Sequence, residues 1–248
     1  MVIKMRLKKQ KENKRIKVGC CGFPTSKEKY FKEFNAVELQ NTFYNIPSLE
    51  SVEKLKKESL QINKNFEFCI KAFQVITHKS NSPTYKKLKE KFGNPENYGY
   101  FQPTKEVFEA WEKTKEIAKI LDTKIILFQT PASFIEEEKN IKNMKEFFSS
   151  INKEKFIFAW EARGWSESKR REVCEELKLI SAVDPFKEKP FGEINYFRLH
   201  GLPGYNLRYV YSASDLKKLK SFCNKKENYV FFNNIQMLKN AIEFKQIL

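Results

Sequence analysis

V-E-L-Q-N-T-F-Y-N-I-P, residues 37–47, reads as a short strand that ends in polar side chains and stops at a proline. Val37 and Leu39 alternate with Glu38 and Gln40, so one face is apolar and the other carries a carboxylate. The same pattern, an apolar run with a polar or charged tip, recurs at 17–21, 66–71, 124–129, 156–161, 179–184, 194–200 and 229–233. Helical signals separate these runs. Val107, Trp111, Ala118 and Leu121 mark one amphipathic helix, and Ile141, Met144, Phe148 and Ile151 another. Helix starts are expected at Ser48, at Ser133 with Glu136, at Ser166, and at Ser212 with Asp215.

Strict strand–helix alternation implies a parallel sheet. Eight units in 248 residues predict one closed (β/α)8 barrel of the TIM type, for which about 250 residues is typical. Neither G-x-G-x-x-G nor G-x-x-x-x-G-K-[ST] occurs, so the nucleotide-binding open-sheet folds lack their signature. With no composition break, residues 1–248 read as one domain. Residues 1–15 form a basic arm, and residues 77–103, rich in Pro, Gly and Lys, form a flap or insertion after the third strand.

The composition is that of a folded, water-facing chain, 41% hydrophobic and 31% charged. No apolar run approaches the ~20 residues of a membrane helix, and the N-terminus lacks the apolar core of a signal peptide, so a cytoplasmic protein with no membrane partner is expected. Five cysteines without a C-x-x-C pair suggest neither a zinc ribbon nor a redox dithiol. The net charge of +16 fits a polyanionic partner, but also a Lys-rich composition spread evenly over the chain. Composition says nothing about oligomeric state.

Strand phase indicates the site. If apolar side chains face the helices, then Glu38, Lys71, Gln129, Glu161, Asp184, Arg198, His200 and Asn233 share the barrel interior at its C-terminal end, where barrel enzymes place their sites. Arg198, Lys71 and Arg163 suit an anion clamp, Arg by its planar fork. Glu38, Glu161, Asp184 and His200 are the candidate acid–base groups, His200 for proton exchange near neutral pH. Asn41, His78, Gln129, Asn233 and Asn234 are candidate substrate contacts, and Tyr205 could stack on a ring. The competing structural reading is an ion-pair network that fills the barrel mouth. No cofactor is identified. Glu38, Glu161, Asp184 and His200 could form a carboxylate-rich Mg²⁺ or Mn²⁺ site, whereas two histidines are too few for a multi-zinc site.

At these residues the chain resembles the YecE-like family, known as domain of unknown function 72. The matching blocks are G-C-C-G-F at 19–23, V-E-L-Q-N-T-F-Y-N-I-P, K-A-F at Lys71 with T-H at His78, F-Q-T-P-A-S-F from Phe128, W-E-A-R-G-W from Trp160, Y-F-R-L-H-G from Tyr196, and F-F-N-N from Phe231. They run in family order across nearly the whole chain. The resemblance implies a TIM-type barrel and brings no established activity. Where the family is expected to carry Gly-Trp and an aromatic, this chain has Gly22-Phe23-Pro24, which would reshape the pocket if that tryptophan lined it.

Two functional readings follow. The first is an enzyme of the hydrolase or lyase class, acting on a phosphate- or carboxylate-bearing substrate by carboxylate and histidine acid–base chemistry. The alternative is a nucleic-acid-binding protein or nuclease that uses the basic flap at 79–91 and pocket aromatics. On either, Arg198→Ala is expected to abolish ligand binding with little loss of fold.

Overall fold

The computed structural model describes residues 14–248; residues 1–13 of the expected basic arm (1–15) lie outside the described residues, and Arg15 opens the first strand instead of ending an arm. The elements are β1 (Arg15–Cys20), α1 (Lys27–Glu33), β2 (Ala36–Leu39), α2 (Asn41–Tyr44), α3 (Leu49–Ile62), β3 (Glu67–Lys71), α4 (Gln74–Thr77), α5 (Lys105–Ile120), β4 (Ile125–Gln129), α6 (Glu138–Ser150), β5 (Ile157–Glu161), α7 (Glu167–Glu176), β6 (Ile180–Val183), β7 (Ile194–Leu199), α8 (Ala213–Phe222), β8 (Glu227–Phe232) and α9 (Met237–Gln246). The eight strands run parallel in the order β1-β8-β7-β6-β5-β4-β3-β2, giving a nearly closed TIM-type barrel.

The seam between β1 and β2 is closed differently from the others. A single bridge joins Cys21 to Glu38, and Gly22 N–H donates to the Glu38 carbonyl at 2.9 Å. Below it, the Tyr30 hydroxyl takes the place of a ladder: it accepts from Cys20 N–H at 2.6 Å and donates to the Ala36 carbonyl at 3.0 Å. Gly19 makes this approach feasible, since a Cβ there would sit 2.1 Å from the Ala36 carbonyl oxygen.

Alternation splits the apolar strand residues into two shells. Val37, Phe68, Phe128, Phe158, Phe197 and Val230 face the helices, and Phe128 packs against Trp111 and Phe147 with ring centroids 6.1 and 5.9 Å away. Ala36, Cys69, Leu127, Ala159, Ala182, Tyr196 and Phe231 fill the interior. Each buried aromatic contributes about 1.5–3 kcal/mol of transfer free energy, so this outer shell carries much of the stability.

Helix starts follow the expected caps at Ser48 and Ser166, and Ser212 with Asp215 forms a reciprocal capping box. Ser133 with Glu136 does not. Helix α6 opens later, behind Glu137, and Glu136 instead accepts from Ser166 N–H at 2.9 Å and from its hydroxyl at 2.8 Å. The spacing matched a capping box, but Phe134 N–H bonds back to the Pro131 carbonyl, and the turn delays the helix.

Residues 77–103 form a packed insertion with two 3-10 turns, Pro83–Lys87 and Pro95–Asn97. Gly99 N–H donates to Val75 and Phe101 N–H to Ile76, while Tyr85 donates to the His78 carbonyl at 2.8 Å. Gly99 has φ +81°, and a Cβ there would lie 2.3 Å from His78 backbone, so the close approach needs glycine. Among the described residues no helix is long and apolar enough to cross a membrane.

Candidate functional site

The side chains that alternation sends inward meet at the C-terminal ends of the strands. Their centre is Arg198 on β7, only 1% exposed. Its Nε donates to both oxygens of Glu38 at 3.1 and 3.0 Å, its Nη2 donates to Glu38 Oε1 at 2.9 Å, and its Nη1 donates to Glu161. Glu38 also accepts from the Tyr196 hydroxyl at 2.7 Å, from the Cys21 thiol at 3.2 Å and from Gln40 Nε2. Burial opposes charge on Arg198, but Glu161 and Glu38 outweigh it and raise its pKa well above the ordinary value. Burial likewise opposes charge on Glu161, but Arg198, His200 and Arg163 hold its pKa well below the usual carboxylate range. Both carboxylates are thus occupied.

Arg163 caps this group from outside. Its Nε donates to Glu161 Oε1 at 3.0 Å and its Nη2 to the Tyr205 hydroxyl at 2.6 Å. Tyr205, exposed on its outer side, stacks on the His200 ring with centroids 4.2 Å apart. His200 is buried, and its Nε2 has no hydrogen-bond partner. Burial, with Arg198 beside it, pushes its pKa down to about 3, so the ring is neutral near pH 7. The proton exchange expected of His200 near neutral pH is therefore not available in this covered state.

Lys71 is the charge left over. It is buried at the end of β3, and among the described residues no ion pair reaches it. Burial pushes its pKa down to about 7, with Arg198 and Arg163 adding to the effect and Glu161 and Glu38 opposing it. Its Nζ lies 3.5 Å from the centroid of the Phe43 ring, whose face favours the ammonium form. His78 packs edge-on to the same ring at 5.0 Å and bonds the Thr77 hydroxyl through Nδ1 at 2.8 Å. Burial, then Lys71, pushes His78 down to about 3.

Gln129 is buried opposite Glu161 in the β4–β5 register. Asp184, just past β6, is engaged by Lys187 at 3.2 Å and by Phe186 N–H at 3.1 Å; burial raises its pKa against these partners. Asn233 is half-buried beyond β8, its N–H bonded to the Leu199 carbonyl. Two candidates stand elsewhere. Asn41 is exposed and lines a groove with Phe23, Lys27 and Leu55 against the outer helices. Asn234 Nδ2 bonds the Tyr209 carbonyl at 2.8 Å and Asn240 Oδ1 at 2.9 Å, fixing the loop after β7 to α9. Among the described residues no group of three or more His, Cys, Asp and Glu side chains is placed to hold a metal ion. Arg198 takes the carboxylates that the Mg²⁺ or Mn²⁺ reading required, and Lys187 takes Asp184.

Sequence reasoning missed Tyr196, Cys21 and Phe43. Tyr196 shared the phase of Arg198 and His200 and could have been found; Phe43 gave no local signal, because it lies on a helical turn after the strand ended.

Comparisons with known proteins agree on the fold. The profile described as "Protein of unknown function DUF72" matches residues 25–248. A DUF72 family protein of Enterococcus faecalis V583 is 20% identical with TM-score 0.70, covering 95% of this chain and 98% of that one. A DUF72 family protein of Thermotoga maritima MSB8 is 22% identical with TM-score 0.66, covering 94% and 98%. Endonuclease IV from Thermus thermophilus, 8% identical with TM-score 0.52 over 94% and 100%, shares the barrel alone. Curated proteins gave no match. The profile match spans residues 25–248, most of the chain: the chain belongs to the DUF72 family.

Proposed function

We propose that the barrel mouth is an acid–base site for a small anionic substrate, bearing phosphate or carboxylate, in a hydrolase or lyase reaction. The observation that carries this is a charge imbalance. Arg198 and Arg163 neutralise Glu38 and Glu161, and Lys187 neutralises Asp184. Lys71 remains, buried and unpaired among the described residues, and an anionic group of the substrate is its natural counter-ion. Substrate binding would raise the Lys71 pKa, so the ammonium could then deliver a proton to a leaving group. The neutral His200 ring, with Nε2 unpartnered, would accept or donate a hydrogen bond to the substrate. Tyr205 covers His200, so a substrate reaching that ring requires Tyr205 to leave it.

Nucleic acid is less well supported at this end. The charged groups are buried, whereas a duplex or strand needs an open basic groove. The test is thermal unfolding against divalent metals, phosphorylated and carboxylated metabolites, and oligonucleotides at two salt concentrations. A salt-insensitive rise from one small anion that is lost in Lys71→Met supports the reading. A rise from oligonucleotides alone, collapsing with salt, would replace it.

A further inference from the structure

The opposite end of the barrel carries a second charged concavity, independent of the mouth. A cleft of about 810 Å³ opens where β1, β3 and β4 begin, and Arg15, Lys17, Lys56, Lys64, Lys124 and Lys155 contribute to its wall. Glu67 and Asp122 are the acids in that wall, and both are engaged, Glu67 by Lys17 and by the Tyr229 hydroxyl at 2.6 Å, Asp122 by Lys155. Arg15 and Lys124 share Glu227. Among the described residues Lys56 and Lys64 have no ion-pair partner. Burial lowers the pKa of Lys56, with Asp122 opposing and Lys155 adding, and lowers that of Lys17, with Glu227 opposing and Lys124 and Arg15 adding.

A second observation is independent of this charge. Thr123, in the same wall, is fully buried, and its hydroxyl has no hydrogen-bond partner. Its backbone explains why it is held there. Asp122 takes a positive φ of 52° after α5, and Thr123 N–H bonds the Ala118 carbonyl at 2.8 Å, so the Thr123 backbone is fixed just ahead of β4. A buried hydroxyl without a partner costs about 1–3 kcal/mol, which a ligand oxygen would relieve.

We propose that this end of the barrel binds a phosphorylated small molecule, its phosphate held by the Thr123 hydroxyl and by Lys56, Lys64 and Lys124. The cleft volume falls in the range of small-molecule sites, about 300–1,000 Å³. A phosphate is the anion these groups suit: several oxygens accept at once from ammonium and hydroxyl donors, and its charge relieves the crowding of cations.

The test uses the full chain with pyrophosphate, adenosine 5′-diphosphate and an oligonucleotide as probes at two salt concentrations, read by unfolding midpoint and titration calorimetry. Wild type is expected to gain a midpoint shift. Thr123→Val should leave the unliganded midpoint unchanged or slightly higher, since the hydroxyl has no partner, yet weaken binding about tenfold or more. Lys56→Gln/Lys64→Gln, at half-buried and exposed positions, should fold normally and lose the shift. Wild-type shifts retained in both variants would place the ligand elsewhere and overturn the proposal, as would no shift from either small-molecule probe. A shift confined to oligonucleotides, falling with salt and indifferent to Thr123→Val, would replace the small-molecule site with backbone binding.

Discussion

Arg198 on β7 grips Glu38 on β2 through Nε and Nη2, with contacts of 2.9–3.1 Å between residues 160 apart in the chain. The same guanidinium reaches Glu161. One side chain therefore crosses the top of the barrel interior and serves as counter-ion to two buried carboxylates. The mouth is filled by this ion-pair network, and what function it has must come from the groups the network leaves over.

Arg198→Met should cost about 3–5 kcal/mol of stability, because it strands Glu38 in a buried interior and leaves Glu161 with Arg163 alone. This revises the expectation that Arg198 could be lost with the fold intact. Urea unfolding would measure it. Replacing the carboxylates too, as Glu38→Gln/Glu161→Gln/Arg198→Met, should recover a good part of the loss. A single variant as stable as wild type would mean that the pair contributes nothing.

Lys71 makes stability depend on pH. Its folded pKa, about 7, lies below its ordinary 10.5, so between these values the unfolded chain binds more protons than the folded one. Stability contributed by this group therefore rises as pH increases from about 7 towards 10.5 and is smallest below pH 7, where the buried amine must carry its charge. Lys71→Met should be more stable than wild type at pH 6, with the difference narrowing by pH 9. Urea midpoints at the two pH values decide it; parallel curves would show that Lys71 keeps an ordinary pKa.

The seam between β1 and β2 depends on one hydroxyl. Tyr30→Phe leaves the Cys20 N–H and the Ala36 carbonyl without their bridge, at a cost of about 1–3 kcal/mol. Amide exchange at Cys20 should accelerate more than exchange in the β7–β8 ladder. Equal protection in both places would show that water replaces the hydroxyl without penalty.

Tyr205→Ala should uncover His200 with little change in the unfolding midpoint, because the tyrosine is largely exposed. Acylation of His200 by diethyl pyrocarbonate, followed by mass spectrometry, should become faster in the variant. If His78 and His200 react alike in both proteins, Tyr205 is not the cover.

Much of this architecture is legible in the chain because strand alternation is local. A period of two sorts Val37 from Glu38, Phe158 from Ala159 and Leu199 from Arg198 without knowledge of any neighbour, and eight such runs between helices leave little but a barrel. Hence the inward set at the mouth, from Glu38 to His200, follows from the sequence. Beyond each strand end the alternation stops, which is why Asn41 and Asn234 stand with the helix layer and the α9 anchor rather than with Lys71.

Partner choice is a different matter. That Arg198 satisfies both Glu38 and Glu161, that Phe43 underlies Lys71, and that Tyr205 lies over His200 depend on distances between residues far apart in sequence. Charge types alone allow several pairings among the same acids and bases, and each pairing leaves a different group free. Tertiary structure selects one: burial makes an unpaired carboxylate costly, and Arg198 with Arg163 satisfies both. The sequence determined the barrel and the cast of its mouth; the packing of eight strands decided that Lys71, rather than His200 or a carboxylate, is the group poised near neutral pH.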